Sequence, residues 1–245
     1  MKVTVLGYWG GYPWNNEGTS SYLLESEGFS LLIDAGSSTL NVLQEHLDPL
    51  TLDAVIISHY HHDHIADLGV LQYYRQLHNS TVTPKLLPIY GHMEDAYFSS
   101  LSLPDVSKGI GYQEHDRLVI GPFRLTFLRT VHPVVCFAMR IEEIKTGKVL
   151  VYTADSGYLA SFNQFVANAD ILIADTYLFK GNEHHHAHFT SHEVGLMAAI
   201  GDVKQLILSH LAQDKDLTKL LEEAKEASGS KVSVCLAEKN LTVTI

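Results

Sequence analysis

Short, apolar, partly β-branched segments alternate along this chain with segments whose apolar residues recur at helical spacing, and that mixture predicts an α/β fold,. Two sheets packed together with helices outside would bury both kinds of apolar face. The 245 residues, 46% of them hydrophobic, suffice for a sizeable core,. Neither a Gly/Ser/Pro-rich linker nor a compositional break nor an internal repeat interrupts them, so one domain over residues 1–245 is expected,.

The first half reads as strands at Lys2–Leu6, Ser21–Leu24, Ser30–Ile33 and Ala54–Ile57,. Helical patterns fall at Thr39–His46, at Ala66–Gln76 and near Glu94–Leu101,. Strands resume at Leu118–Ile120 and Phe123–Val131, and Phe137–Ile144 with Lys148–Thr153 reads as a hairpin about Thr146-Gly147,. Strand Ile171–Ile173, helix Ser191–Ala199, strand Gln205–Leu208 and helix Leu217–Ala227 then alternate, followed by strands Lys231–Cys235 and Leu241–Ile245. Leu217, Leu220, Leu221 and Ala224 are spaced as a core-packing face, with Gly229 as the stop signal,.

A formal charge of −11 argues against a protein whose main task is gripping a phosphate backbone, without excluding a local basic patch,. The opening residues lack the apolar run of a signal peptide, and no stretch is long enough to cross a bilayer,. A soluble cytoplasmic protein with no membrane partner is expected. Cys136 and Cys235 are too few for a disulfide framework and read as buried thiols,.

Fifteen histidines are the anomaly. After the apolar strand ending at Ile57 comes Ser58-His59-Tyr60-His61-His62-Asp63-His64, and then a helical pattern, so the cluster sits at a strand-to-helix turn. In extended backbone, residues two apart point the same way, so His59 and His61 can approach one cation while Tyr60 and His62 point elsewhere. Asp63 and His64 can serve a second cation once the chain turns. Core packing is a poor explanation for so many polar groups, because each uncompensated buried one costs on the order of 1–3 kcal/mol.

This cluster resembles the metallo-β-lactamase superfamily, whose signature His-x-His-x-Asp-His is matched by His59, His61, Asp63 and His64. The resemblance continues in family order through His132, Asp155 and His210, each at the end of an expected strand. It implies an αββα sandwich of two mixed β-sheets flanked by helices, with two divalent metal ions along one edge. Carried over by position, His59, His61 and His132 hold one ion, Asp63, His64 and His210 the other, and Asp155 bridges. Imidazole and carboxylate donors without thiolate suit Zn2+ first, with Mn2+ or Fe as alternatives. Two divalent ions, less Asp63, Asp155 and one hydroxide, leave a local charge of roughly +1 that favours a small-molecule anionic substrate. Asp34 has a family equivalent that orients a ligand histidine, although its spacing alone suits an ordinary turn.

Two further segments are similar to ribonuclease Z and its small phosphodiesterase relatives: the glycine-rich opening Leu6–Pro13 with Asn16, Gly18 and Thr19, and His188-Phe189-Thr190 with Glu193. Thr190-Ser191-His192-Glu193 is also a helix capping box, and both readings hold together. The resemblance implies that His188 stands near the metals as proton donor to the leaving oxygen, supported by Thr190; His188 and Asp63 are the residues assigned to catalysis. His184, His185 and His186 read as a solvated loop. The long arm with which ribonuclease Z grips transfer RNA has no counterpart after Tyr90-Gly91, and Ala174-Asp175-Thr176 replaces the branch's His-Glu-Ala-Thr. The expectation is therefore a phosphodiesterase on a small phosphodiester or nucleotide, not a transfer RNA processor. An ester, lactone or thioester hydrolase using the same metals is the alternative, because the ligand set suits either chemistry. A homodimer is expected from the resemblance only.

Overall fold

The computed structural model describes residues 1–78 and 85–245. In chain order these form β1 (Lys2–Trp9), β2 (Gly18–Thr19), β3 (Ser21–Ser26), β4 (Phe29–Ile33), α1 (Thr39–Leu43), β5 (Ala54–Ile56), α2 (His62–Ile65), α3 (Leu68–His78), β6 (Leu87–His92) and β7 (Ser107–Tyr112). There follow β8 (Arg117–Ile120), β9 (Phe123–Arg129), β10 (Phe137–Glu143), β11 (Val149–Tyr152), α4 (Phe162–Phe165), β12 (Ile171–Asp175), α5 (Ser191–Ile200), β13 (Gln205–Ser209), α6 (Leu217–Ser228), β14 (Ser233–Leu236) and β15 (Thr242–Thr244). Two compact units result, Met1–Gln113 with Glu238–Thr244 and Glu114–Ala237 with Ile245. Among the described residues no helix is long and apolar enough to cross a membrane.

Each unit is built on one mixed sheet. The first has the order β15-β1-β3-β4-β5-β6-β7, with β2 parallel beside β1; along that order the pairs are antiparallel as far as β4 and parallel from β4 to β7. The second has the order β14-β13-β12-β11-β10-β9-β8, parallel from β14 to β11 and antiparallel from β11 to β8. The parallel strands β5, β11 and β12 are apolar runs buried along their whole length, as strands covered on both faces must be,. In the first unit Leu23, Leu32, Val55, Leu68, Leu71 and Ile89 share one core cluster. Burying each such side chain is worth about 1.5–3 kcal/mol. In the second unit α5 and α6 approach so closely that a Cβ on Gly195 would stand 2.5 Å from the Ala224 carbonyl oxygen.

Several elements differ from the sequence expectation. The pattern near Glu94–Leu101 is a 3-10 helix, Ala96–Leu101, opened by the Asp95 side chain. Strands β6 and β7 were not anticipated, because Pro88, Gly91, Gly109 and Gly111 dilute their β-propensity,. Two of those glycines answer to close approach: a Cβ on Gly91 would meet the Tyr60 hydroxyl at 2.4 Å, and one on Gly111 the Met93 sulfur at 2.4 Å. Cys136 is buried and Cys235 half-buried, both as free thiols.

Candidate metal centre

In both sheets most ligand-type side chains follow the carboxyl ends of parallel strands, where open α/β sheets gather their functional groups, whereas His132 follows β9 in the antiparallel part of its sheet,. In the first unit, β5 runs into Ser58-His59 and α2 begins at His62. His59 Nε2 and His61 Nδ1 converge to 3.1 Å, as the extended two-residue spacing required, while His62 is exposed. Asp34, fully buried at the end of β4, accepts hydrogen bonds from Ser58 N (2.7 Å), Ser58 Oγ (2.8 Å) and His64 Nδ1 (2.8 Å). Because that carboxylate accepts a hydrogen bond from Nδ1–H, the His64 lone pair is left on Nε2, which stands 3.6 Å from Asp63 Oδ2,. Asp63 Oδ2 in turn accepts from the Gly11 amide at 2.7 Å, so the glycine-rich opening loop serves as a clamp on this carboxylate. A Cβ on Gly36 would stand 2.2 Å from the Asp63 carbonyl oxygen, so this turn closes only on glycine.

The second unit assembles its set from separate loops. His132 follows β9, Asp155 follows β11, Asp175 ends β12 and His210 follows β13. His132 Nδ1 faces the Ala187 carbonyl oxygen at 3.1 Å; a carbonyl only accepts, so Nδ1 carries the proton and Nε2 points toward Asp155 Oδ2 at 3.9 Å,. His210 Nε2 stands 3.2 Å from the same oxygen. Asp175, fully buried, is shared: Oδ1 lies 3.4 Å from His210 Nδ1 and Oδ2 lies 2.9 Å from His188 Nδ1. The Ser156 and Tyr177 amides also donate to it. Burial alone would raise the Asp175 carboxyl, but the imidazoles of His188 and His210 bring it below the usual carboxylate range,. Burial alone would lower His188, but the Asp175 charge holds it above the ordinary imidazole value,.

Backbone strain coincides with these positions. Asp34, Ala154 and His210 adopt φ of 55°, 50° and 52°, a left-handed conformation that costs non-glycine residues roughly 1–2 kcal/mol. The loop bearing His188 is fixed from both ends. The His185 ring nitrogen accepts from the Ala187 and His188 amides. At the other end Thr190 and Glu193 form a complete capping box on α5, and Glu193 also accepts from the His184 amide. His184 and His186 are exposed, as a solvated loop predicts.

The donor set fits a divalent ion. Neighbouring ligand atoms around a tetrahedral ion with bonds of 2.0–2.1 Å lie about 3.3 Å apart. Within each unit the corresponding pairs span 3.1 to 3.9 Å, all imidazole nitrogen or carboxylate oxygen. Sequence reasoning assigned no role to the Gly11 amide or the Ala187 carbonyl and read Asp175 only as part of the altered His-Glu-Ala-Thr stretch. The one signal for Asp175 was a carboxylate ending an apolar strand beside two histidine-bearing segments.

Fold and donor set together define a metallo-hydrolase whose His/Asp clusters suit a dinuclear metal site. The family model for the metallo-beta-lactamase superfamily matches residues 14–194, and the chain belongs to that superfamily. It is 43% identical to the protein named Probable metallo-hydrolase YhfI of Bacillus subtilis (strain 168), over 96% of either chain. The crystal structure of the metallo-beta-lactamase fold protein YhfI from Bacillus subtilis gives a TM-score of 0.93 at 41% identity, covering 99% of this chain and 98% of that one. Ribonuclease Z of Sulfolobus acidocaldarius is 26% identical, over 92% of this chain and 93% of the relative.

Proposed function

We propose that the protein is a dinuclear phosphodiesterase acting on a small phosphodiester or nucleotide. The observation that carries this reading is the Asp175 carboxylate, which hydrogen-bonds His188 with one oxygen at 2.9 Å and stands 3.4 Å from Nδ1 of the ligand-type His210 with the other. A proton-bearing imidazole is thereby held beside a donor imidazole, with ring centroids 5.2 Å apart. His59, His61 and His132 would hold one ion, Asp63, His64 and His210 the other, with Asp155 between them, and zinc is the metal that best suits these donors. Two such ions supply Lewis acidity toward an anionic oxygen and lower the pKa of water at the site.

The chain's own residues supply orientation and a proton. Asp34 fixes the tautomer of His64 through the 2.8 Å bond to its Nδ1, and Asp175 lies against Nδ1 of His210,. Asp175 also holds His188 by Nδ1, so that Nε2 is the atom from which the leaving oxygen receives its proton. The relative named Ribonuclease Z supports phosphodiester chemistry. A small substrate is supported by the net charge of −11 and by the segment between His92 and Ser107, where the 3-10 helix Ala96–Leu101 leaves little chain for an RNA-gripping arm.

The test pairs leaving groups. His188→Ala is expected to keep both metals by elemental analysis and to lose roughly 10²–10⁴-fold in turnover of a diester with an alkoxide leaving group. The loss should be much smaller on bis(p-nitrophenyl) phosphate, whose nitrophenolate departs without a proton. Precursor transfer RNA should not be cleaved. Loss of a metal would make His188 a ligand, and a preference for lactones or thioesters over diesters would make the enzyme a carbonyl hydrolase.

A further inference from the structure

One pocket of the second unit is at odds with the charge of the chain as a whole. Arg117 on β8, Arg124 and Thr126 on β9, and Arg140 and Glu142 on β10 line a cavity of about 310 Å³, in a protein of formal charge −11. Strand register explains why they meet. Arg117 pairs with Thr126 and Thr126 with Arg140 across neighbouring antiparallel strands, while Arg124 pairs with Glu142 one step along. Strand alternation sets these five on one face and turns Leu125, Phe127, Met139 and Ile141 to the other, where they are buried,. Directly opposite residues have Cβ atoms roughly 4.5–5.5 Å apart, which brings the guanidinium groups within reach of one small ligand.

Like charges gathered so closely oppose folding unless something offsets them, and the protein offsets them only in part. Arg124 pairs with Glu142 at 3.0 Å. Arg140 donates through Nη1 to the carbonyl oxygens of Phe165 and Ala167 at 2.9 and 3.0 Å, bonds that aim the guanidinium without neutralising it. The Arg117 guanidinium has no ion pair or hydrogen bond among the described residues. Three arginines less one glutamate leave two uncompensated positive charges lining the cavity.

We propose that this pocket binds a small phosphate-bearing anion of the diphosphate type. Planar guanidinium forks match phosphoryl oxygens with paired hydrogen bonds, and the Thr126 hydroxyl adds a donor. The volume lies at the lower end of small-molecule sites, roughly 300–1,000 Å³, which leaves room for two linked phosphoryl groups. None of the five residues belongs to the donor set, so the proposal stands independently of the phosphodiesterase reading.

Methylenediphosphonate, whose bridging carbon resists hydrolysis, is the probe, titrated calorimetrically into the metal-loaded protein with metal content checked before and after. Saturable binding is expected, weakened about ten- to hundred-fold in Arg117→Gln, the loss of one charge-assisted contact. Arg117 is exposed, so the variant should fold and hydrolyse bis(p-nitrophenyl) phosphate unchanged. Glu142→Gln, which removes the opposing carboxylate, should tighten binding. Equal affinity in the wild type and both variants would place the ligand elsewhere, and that result or the absence of saturable binding would overturn the proposal.

Discussion

The two units prepare their imidazoles by the same device but from very different lengths of chain. In the first, a buried carboxylate at the end of β4, Asp34, steadies His64 and the Ser58 backbone, and the ligand-type residues lie within His59–His64. In the second, a buried carboxylate at the end of β12, Asp175, steadies His210 and His188, but His132, Asp155 and His210 arrive on separate loops from different strands. Covalent proximity presets the first set, and one aspartate locks the turn that carries it. Sheet register must preset the second, and a whole loop, residues 184–190, is needed to orient His132 and His188. The first unit should therefore answer to damage chiefly in stability, and the second chiefly in metal affinity and turnover.

The largest expected effect tests the first half of that contrast. Asp34→Ala leaves three buried donors without their acceptor and should cost about 3–5 kcal/mol, read as a lowered urea midpoint at unchanged slope. A loss below about 1 kcal/mol would mean that water enters the turn and that Asp34 is dispensable to it. The second unit should behave otherwise. Asp175→Asn is nearly isosteric and should leave the urea midpoint close to wild type while weakening metal binding about 10–100-fold, the usual consequence of losing an outer carboxylate on a ligand histidine. Competition with a chromophoric chelator measures this, and unaltered affinity would reduce Asp175 to a structural anchor.

The smallest effect comes from a carboxylate whose partners are lysines instead of ligand imidazoles. Burial would raise the Asp170 carboxyl, but Lys204, the Val149 amide and Lys148 bring it below the usual carboxylate range. A lowered folded-state pKa contributes stability above the unfolded value of about 3.9 and loses it as pH falls through the folded value. Lys204 is largely exposed, so Lys204→Ala should cost no more than about 0.5 kcal/mol at neutral pH, less in high salt, and nothing once Asp170 is protonated. Urea midpoints at pH 7 in low and in high salt would show it, and a cost undiminished by high salt would rule out the ion pair as its source.

Much of this architecture was legible without coordinates wherever short-range pattern dominates. The apolar runs of β4, β5, β11 and β12, the helical spacing of α6 and the capping box on α5 are local consequences of propensity and periodicity, and all are present. The approach of His59 to His61 follows from the two-residue repeat of extended backbone,. The same reasoning failed at β6 and β7, whose glycines exist for contacts with Tyr60 and Met93 that no propensity records. It also failed where partners lie far apart in sequence. That the Gly11 amide would hold Asp63, that the Ala187 carbonyl would choose the His132 tautomer, and that three arginines would surround one cavity depend on register and loop path. Residue type and spacing determined which side chains this chain can offer a metal; only the pairing of distant strands decided what holds each of them in place, because hydrogen-bond geometry is set in space and not along the chain.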